Sequence, residues 1–414
     1  MEQPEPNQPR VLDRADHSIS RKRIEENSLK VLYRLRHHGY KAYLVGGGVR
    51  DLLLGLTPKD FDVATDATPN QVKKLFRNCF LVGRRFRLAH IRFAGNSLIE
   101  VATFRRQATE EDLPDEETEQ RFYSENVFGT PEEDAFRRDF TINGLFYDID
   151  SFQVIDYVGG LHDLERKTIR VIGDPLVRFT EDPVRMLRAL EFTARLGFKL
   201  DHAAREAIFQ RAPLIAEAAP ARIREELMEL FRHKVAGKAL QDAQGNGLLR
   251  HLIPGFIPGE KTFQLLHAID RRTVSGVPIT ESFALAGLYY EEFLAELQTE
   301  GPIASALHLA RELTDRYGQY FHVANGIRHE ARELLIASYR FLRGRGRRGE
   351  RRFLTHPVTG QALELFTLWA EVSGEHLDLI NTWREAISTG PPPSPPPRKN
   401  PRRRRRRKPR PPRT

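Results

Sequence analysis

The sequence predicts an α+β protein, with an N-terminal α/β head, an all-helical remainder and a basic tail. Three observations predict it. Short apolar runs bounded by Gly, Pro and Asn recur between residues 41 and 104 and read as strands. From Asp174 onward apolar residues recur at helical spacing and strand signals nearly vanish. The segment 391–414 holds eleven basic residues and no acid, so the rest of a chain with net charge +9 sums to −2.

The elements follow in order. Residues 1–17 are polar and are expected to be disordered. Ser18 to about His38 carries Leu29, Val31, Leu32 and Leu35 and reads as a helix. Lys41–Val45 reads as a strand that runs into Gly46-Gly47-Gly48-Val49-Arg50-Asp51, a turn followed by a short helix over Leu52–Gly55. Lys59–Thr65 reads as a second strand. Thr68 as N-cap and Pro69 in the first turn open a helix that runs to about Asn78. Leu88–Phe93 and Ser97–Phe104 read as strands joined at Gly95-Asn96. Residues 107–130 are rich in Glu, Asp and Thr and are expected to form a mobile loop. A second glycine turn stands at Gly159-Gly160.

Helices are predicted at about 181–196, 202–211, 220–233, 235–245, 281–298, 303–316, 326–342 and 361–371, with a basic loop over 343–352. The Pro- and Arg-rich stretch from Gly390 cannot form a core. The expected domains are a disordered N-terminus (1–17), a catalytic head (18–160), a helical neck (161–235), a helical body (236–388) and a disordered tail (389–414). A length of 414 residues allows two to four domains. The lone Cys79 excludes intrachain disulfides and thiolate metal clusters. No run approaches the roughly 18 apolar residues of a membrane span. The first residues, MEQPEPNQPR, lack an apolar signal core. A soluble, cytoplasmic protein is expected.

The chemistry concentrates at Asp60-Phe61-Asp62. Residues two apart on a strand share a face, so Asp60 and Asp62 point one way while Phe61 and Val63 point into the core. Neighbouring carboxylates repel and raise each other's pKa. A divalent cation between them removes that cost, and hard oxygen ligands suit Mg²⁺. A glycine turn at a helix start, facing the pair, offers amides to a triphosphate. Together these predict nucleotidyl transfer.

With these residues in place, the chain resembles the nucleotidyltransferase superfamily of DNA polymerase β type. More narrowly it resembles the class that holds bacterial poly(A) polymerases and the bacterial and eukaryotic CCA-adding enzymes. Arg137-Arg138-Asp139-Phe140-Thr141-Ile142-Asn143 and Glu181-Asp182-Pro183-Val184-Arg185-Met186-Leu187-Arg188 are similar to two blocks of that class. The stretch Leu81–Ile91 resembles the one that sets its poly(A) polymerases apart. The likeness runs over about residues 18–200 and weakens beyond.

The resemblance implies a polymerase-β-like head with a small mixed sheet, then a neck and body that are all helical. It implies Mg²⁺ at Asp60 and Asp62, with Asp139 as the third catalytic carboxylate; strand alternation offers Glu100 as a rival. Gly47, Gly48, Arg50 and Arg138 would bind the triphosphate of ATP. Thr180 is expected to cap a helix that sets Asp182, Arg185 and Arg188 on one face. In the resembled class the acid and first arginine of this helix read the base edge. A carboxylate accepting from an amino group and a guanidinium donating to a ring nitrogen suit adenine and cytosine alike. Arg84, Arg85 and Arg87 are candidates for contact with the triphosphate or the RNA end.

The arginines Arg402, Arg403, Arg404, Arg405, Arg406 and Arg407 of the tail are expected to neutralise RNA phosphates without regard to sequence. The expected activity is template-independent addition of AMP to RNA 3′ ends, in tails that mark RNA for the decay machinery. A CCA-adding enzyme acting on tRNA and a non-catalytic RNA-binding protein are the alternatives.

Overall fold

A computed structural model of the chain describes residues 8–83, 87–108, 112 and 127–390. Ala42, Leu44 and Val45 are all buried, so Ala42–Val45 is a central strand rather than an edge. The strands are β1 (Arg10–Leu12), β2 (Ala42–Val45), β3 (Asp62–Thr65), β4 (Cys79–Val82), β5 (Leu88–Arg92), β6 (Leu98–Thr103), β7 (Leu145–Tyr147) and β8 (Val154–Asp156). They form one eight-stranded sheet in the order β1-β8-β7-β2-β3-β6-β5-β4. Every neighbouring pair is antiparallel except β3 and β6, which run parallel with Val63 opposite Val101. The sheet is mixed, as expected, and larger than the sequence implied.

One face packs on the main core through the helices Glu26–His37 and Pro69–Leu75. Pro69 stands at the first helical position as expected, and the Gln71 side chain accepts the Thr68 N–H at 2.8 Å. On the other face Val45, Ala64, Phe104 and Phe146 pack with Ala135. Ala135 belongs to the helix Pro131–Arg137, which opens with a reciprocal cap: the Thr130 hydroxyl accepts from the Glu133 N–H (3.2 Å) and the Thr130 N–H donates to the Glu133 carboxylate (2.7 Å).

A two-stranded parallel ladder, Thr168–Ile169 with Lys199–Leu200, joins the head to the helices that follow. Those helices include Val184–Leu196, His202–Arg211, Pro220–Arg232, Ala236–Gly245, Thr262–Val274, Ile303–Tyr320, Asn325–Leu342, Thr359–Ser373 and Leu377–Thr389. The fold is α+β.

Several predicted elements are corrected. The N-terminus expected to be disordered over 1–17 holds β1, Arg10–Leu12, which is ordered by pairing with β8. The predicted strand Lys59–Thr65 is a strand only over Asp62–Thr65, where β2 pairs with it. The glycines themselves open the helix, which spans Gly47–Leu53. The predicted helix 181–196 is two helices, Pro175–Glu181 and Val184–Leu196, because Asp182 is extended (φ −144°, ψ 92°) before Pro183. Thr180 therefore does not cap it; its hydroxyl donates to the Leu176 carbonyl in the last turn of the first helix. The predicted helix 281–298 breaks at Tyr289 into Glu281–Leu288 and Tyr290–Glu296. No helix of the described residues is long and apolar enough to cross a membrane.

Candidate active site

The strand β2 ends at Gly46, whose N–H donates to the Leu145 carbonyl at 3.1 Å and whose φ is +71°. A side chain there would be strained, and its Cβ would lie 3.0 Å from Arg138 Nη1. At Gly48 a Cβ would lie 3.3 Å from the Asp60 carbonyl oxygen. Small residues thus let the helix Gly47–Leu53 settle against the backbone that carries the two acids. Phe61 and Val63 are buried, while Asp60 and Asp62 are exposed, so the predicted alternation holds. Asp60 precedes β3 and Asp62 begins it.

Asp60, Asp62, Gly46, Gly47, Gly48 and Arg138 line one cleft of about 540 Å³ between the sheet and the helices Val184–Leu196 and Pro220–Arg232. The Asp62 carboxyl is pushed up from its ordinary 3.8 to about 6. Dehydration in the cleft is the largest cause, although the residue still opens to water; Glu100 comes next, Arg138 opposes, and Asp60 adds a further push. Glu100 sits one residue before the Val63–Val101 pair, on the strand beside Asp62 and on the same outer face.

Asp139 also lines the cleft, but its oxygens are occupied. One accepts from the Phe140 N–H (2.8 Å) and the Asn143 amide (3.1 Å), the other from Arg188 Nε (2.9 Å) and Nη2 (2.8 Å). Burial alone would push this carboxyl up; the Arg188 guanidinium and the Asn143 and Phe140 donors outweigh it and hold it below the ordinary range. Arg188 reaches on to Glu226 (3.3 Å).

Arg50 is only 3% exposed; its fork donates to Asp51 (2.8 Å) and to the Asn143 side chain (2.6 Å). Arg138 donates to Asp134 (3.0 Å) and leaves a buried Nε without a hydrogen-bond partner in the cleft wall. Arg178, which the sequence left without a role, clamps the Arg137 and Arg138 carbonyls at 2.7 and 2.8 Å.

Of the three residues predicted to share one helix face at the nucleotide, Arg188 lines the cleft while the base-reading candidates Asp182 and Arg185 do not. The three do not form one helical face: Asp182 lies outside the helix and is held bidentately by Arg222 (2.9 and 2.8 Å), and Arg185 pairs with Glu181 (3.2 Å). Arg84 and Arg85, and the tail arginines Arg402 to Arg407, lie outside the described residues.

The cleft also holds residues that sequence reasoning missed. Phe192 and Arg195 are two of them: the Arg195 guanidinium and those of the predicted Arg50 and Arg188 surround the Phe192 ring at 4.9, 5.1 and 5.4 Å. His233 lies 2.9 Å from Glu191 and 3.4 Å from Glu229. The signal for Glu226, Glu229 and His233 was present as spacings of three and four on one helix face.

Residues 42–170 match the family model described as "Poly A polymerase head domain". The chain is 41% identical to Poly(A) polymerase I of Escherichia coli over 413 residues, covering 92% of this chain and 86% of that protein. The chain belongs to the poly(A) polymerase family. Residues 197–258 match a second model, "Probable RNA and SrmB- binding site of polymerase A". The CCA-adding enzyme of Bacillus pumilus is 40% identical over 216 residues, 52% of each chain. The solved CCA-adding enzyme of Bacillus stearothermophilus with CTP superposes with a TM-score of 0.66 at 28% identity, covering 87% of this chain and 80% of that one. The fold is thus common to both activities, while likeness along nearly the whole sequence is found with the poly(A) polymerases.

Proposed function

We propose that this protein transfers AMP from ATP to RNA 3′ ends without a template. The observation that carries the reading is the meeting of Asp60 and Asp62 with the glycine helix and Arg138 in one cleft, in a chain of the poly(A) polymerase family. The 3′-oxygen of the RNA attacks the α-phosphorus of ATP, the α–β bond breaks, and pyrophosphate leaves.

The donor set fits Mg²⁺. Asp62 is an acid under repulsion from Glu100 and Asp60, a strain that a divalent cation relieves. Among the described residues no group of three or more metal-ligating side chains converges. That suits an ion held by one or two carboxylates and completed by substrate phosphates. When bound, Mg²⁺ makes the 3′-hydroxyl a better nucleophile and neutralises charge at the reacting phosphate.

The chain's own residues do the rest. Gly47 and Gly48 present backbone N–H groups to the triphosphate, and Arg138 faces its oxygens with a fork suited to phosphate. Arg50, held by Asp51 and Asn143, shapes the wall behind them. Glu100, beside Asp62, serves as the third carboxylate, outside the pair that would hold the ion. Asp139, with both oxygens engaged, positions Arg188. Asp182, oriented by Arg222, and Arg185, oriented by Glu181, read the amino group and ring nitrogen of adenine. Head, neck and body divide near residues 160 and 235. The basic tail holds RNA non-specifically in the cytoplasm, and the product feeds the decay machinery.

The test is purified protein with Mg²⁺, a short unstructured RNA or a tRNA lacking its CCA end, and each nucleoside triphosphate singly and mixed. Long ladders with ATP alone support the reading. Addition confined to C, C and A on tRNA, or RNA binding without incorporation, overturns it.

A further inference from the structure

The row of side chains that starts at Asp62 continues across the outer face of the sheet. Glu100 follows on β6, His90 stands opposite Glu100 on β5, and Phe80 stands opposite His90 on β4. The members touch. His90 Nε2 lies 3.3 Å from Glu100 Oε1. The Phe80 and His90 rings meet edge to face with centroids 5.5 Å apart. The Arg92 guanidinium lies 5.5 Å from the centre of the Phe80 ring. The helix Pro131–Arg137 covers the other half of this face, over Val45, Ala64 and Phe146. Among the described residues this half stays open: Phe80 is 39% exposed, and Val82 on the same strand and Leu98 opposite Arg92 are 40% exposed.

An exposed aromatic backed by an arginine, at the end of a row that begins at a metal-binding acid, has the chemistry of a single-stranded RNA contact. Strands lie about 4.8 Å apart, so three steps put Phe80 about 14 Å from Asp62. At roughly 3.4 Å per stacked nucleotide that is about four nucleotides.

We propose that this row is the track of the RNA 3′ end. One base a few nucleotides from the terminus stacks on Phe80, and Arg92 meets the adjoining phosphates. Stacking accepts any base, which suits tailing of mixed RNA. The inference rests on the adenylyltransferase reading above. It names Phe80 and Arg92 as positioning residues for the acceptor, apart from the residues that bind ATP.

The test is steady-state adenylation by the full chain, using short RNAs with an abasic site placed in turn at each of the last six positions. Phe80→Ala should raise KM for intact RNA roughly tenfold, the loss of one stacking contact, with the effect on KM for RNA rather than on KM for ATP or kcat. Phe80→Tyr should restore KM. Wild-type protein should show a KM penalty at one abasic position, and Phe80→Ala should erase that penalty, a readout that loss of structure does not mimic. An unchanged KM in Phe80→Ala, or the same abasic profile in both proteins, overturns the track while leaving the adenylyltransferase reading in place. A wild-type protein that adenylates no RNA overturns both.

Discussion

At the scale of single residues, the cleft separates acids pushed toward the protonated form from acids held ionised by a guanidinium. Asp62 belongs to the first kind. Its folded pKa, about 6, lies above the ordinary 3.8, so the metal-free protein holds that proton more tightly than the unfolded chain does. The stabilisation is complete below about pH 4 and is lost as the pH rises to about 6. Metal-free Asp62→Asn should therefore gain melting temperature relative to wild type as the pH rises from 4 to 6.5; a constant gap across that range would count against the environment assigned to Asp62. Mg²⁺, which binds the ionised form, should raise the wild-type melting temperature more at pH 7 than at pH 5. Asp139 belongs to the second kind. Asp139→Asn removes a partner of Arg188 and should cost about 1–3 kcal/mol of stability, whereas Glu100→Gln should leave stability near wild type and slow AMP transfer on the order of a hundredfold. The reverse pattern, measured by denaturant titration and single-turnover assay, returns the third-carboxylate role to Asp139.

At the scale of elements, the joint between Pro175–Glu181 and Val184–Leu196 matters most. Asp182 stands in that joint in extended backbone, and Arg222, on the helix Pro220–Arg232, grips both its oxygens. The grip fixes where the carboxylate points. Arg222→Ala should leave the fold intact, because Arg222 is half-exposed, and should relax the preference for ATP over the other triphosphates about tenfold; unchanged ratios of kcat/KM would separate Asp182 from base reading. The joint shows where sequence legibility stops. Glycine spacing, strand alternation at Asp60 and Asp62 and the caps at Thr68 and Pro69 act over a few residues, and each was readable. The break itself had a local signal in Pro183, which disfavours helical backbone at Asp182; the grip of Arg222 on the Asp182 carboxylate, forty residues away, had none, because helical periodicity carries no trace of such a partner. Short strands such as Leu145–Tyr147 and Val154–Asp156 were likewise unreadable: only three residues each, they are strands because the sheet pairs them. The cluster of Arg50, Arg188 and Arg195 around Phe192 joins residues from two distant helices and had no local signal beyond the Arg188–Phe192–Arg195 spacing.

At the scale of the whole molecule, charge is divided between a near-neutral folded part and a tail carrying eleven positive charges. Removing residues 391–414 should weaken RNA binding and shallow its dependence on salt concentration, since fewer counterions are released, while ATP turnover on saturating RNA persists. An unchanged salt slope in the truncated protein would place the RNA-binding charge elsewhere, the basic segment 343–352, which runs into the helix Glu350–Leu354, being the next candidate. The proposed function rests on one claim, that Asp60 and Asp62 together hold the cation on which AMP transfer depends. The most direct measurement is AMP incorporation from ATP into a short RNA, titrated with Mg²⁺, for wild type, Asp60→Ala and Asp62→Ala, with Mn²⁺ binding followed in the same samples. The account predicts saturable, Mg²⁺-dependent ladders for wild type, and for each folded variant loss of both the bound ion and at least about a hundredfold of the rate. A variant that keeps its ion and extends RNA at the wild-type rate contradicts it.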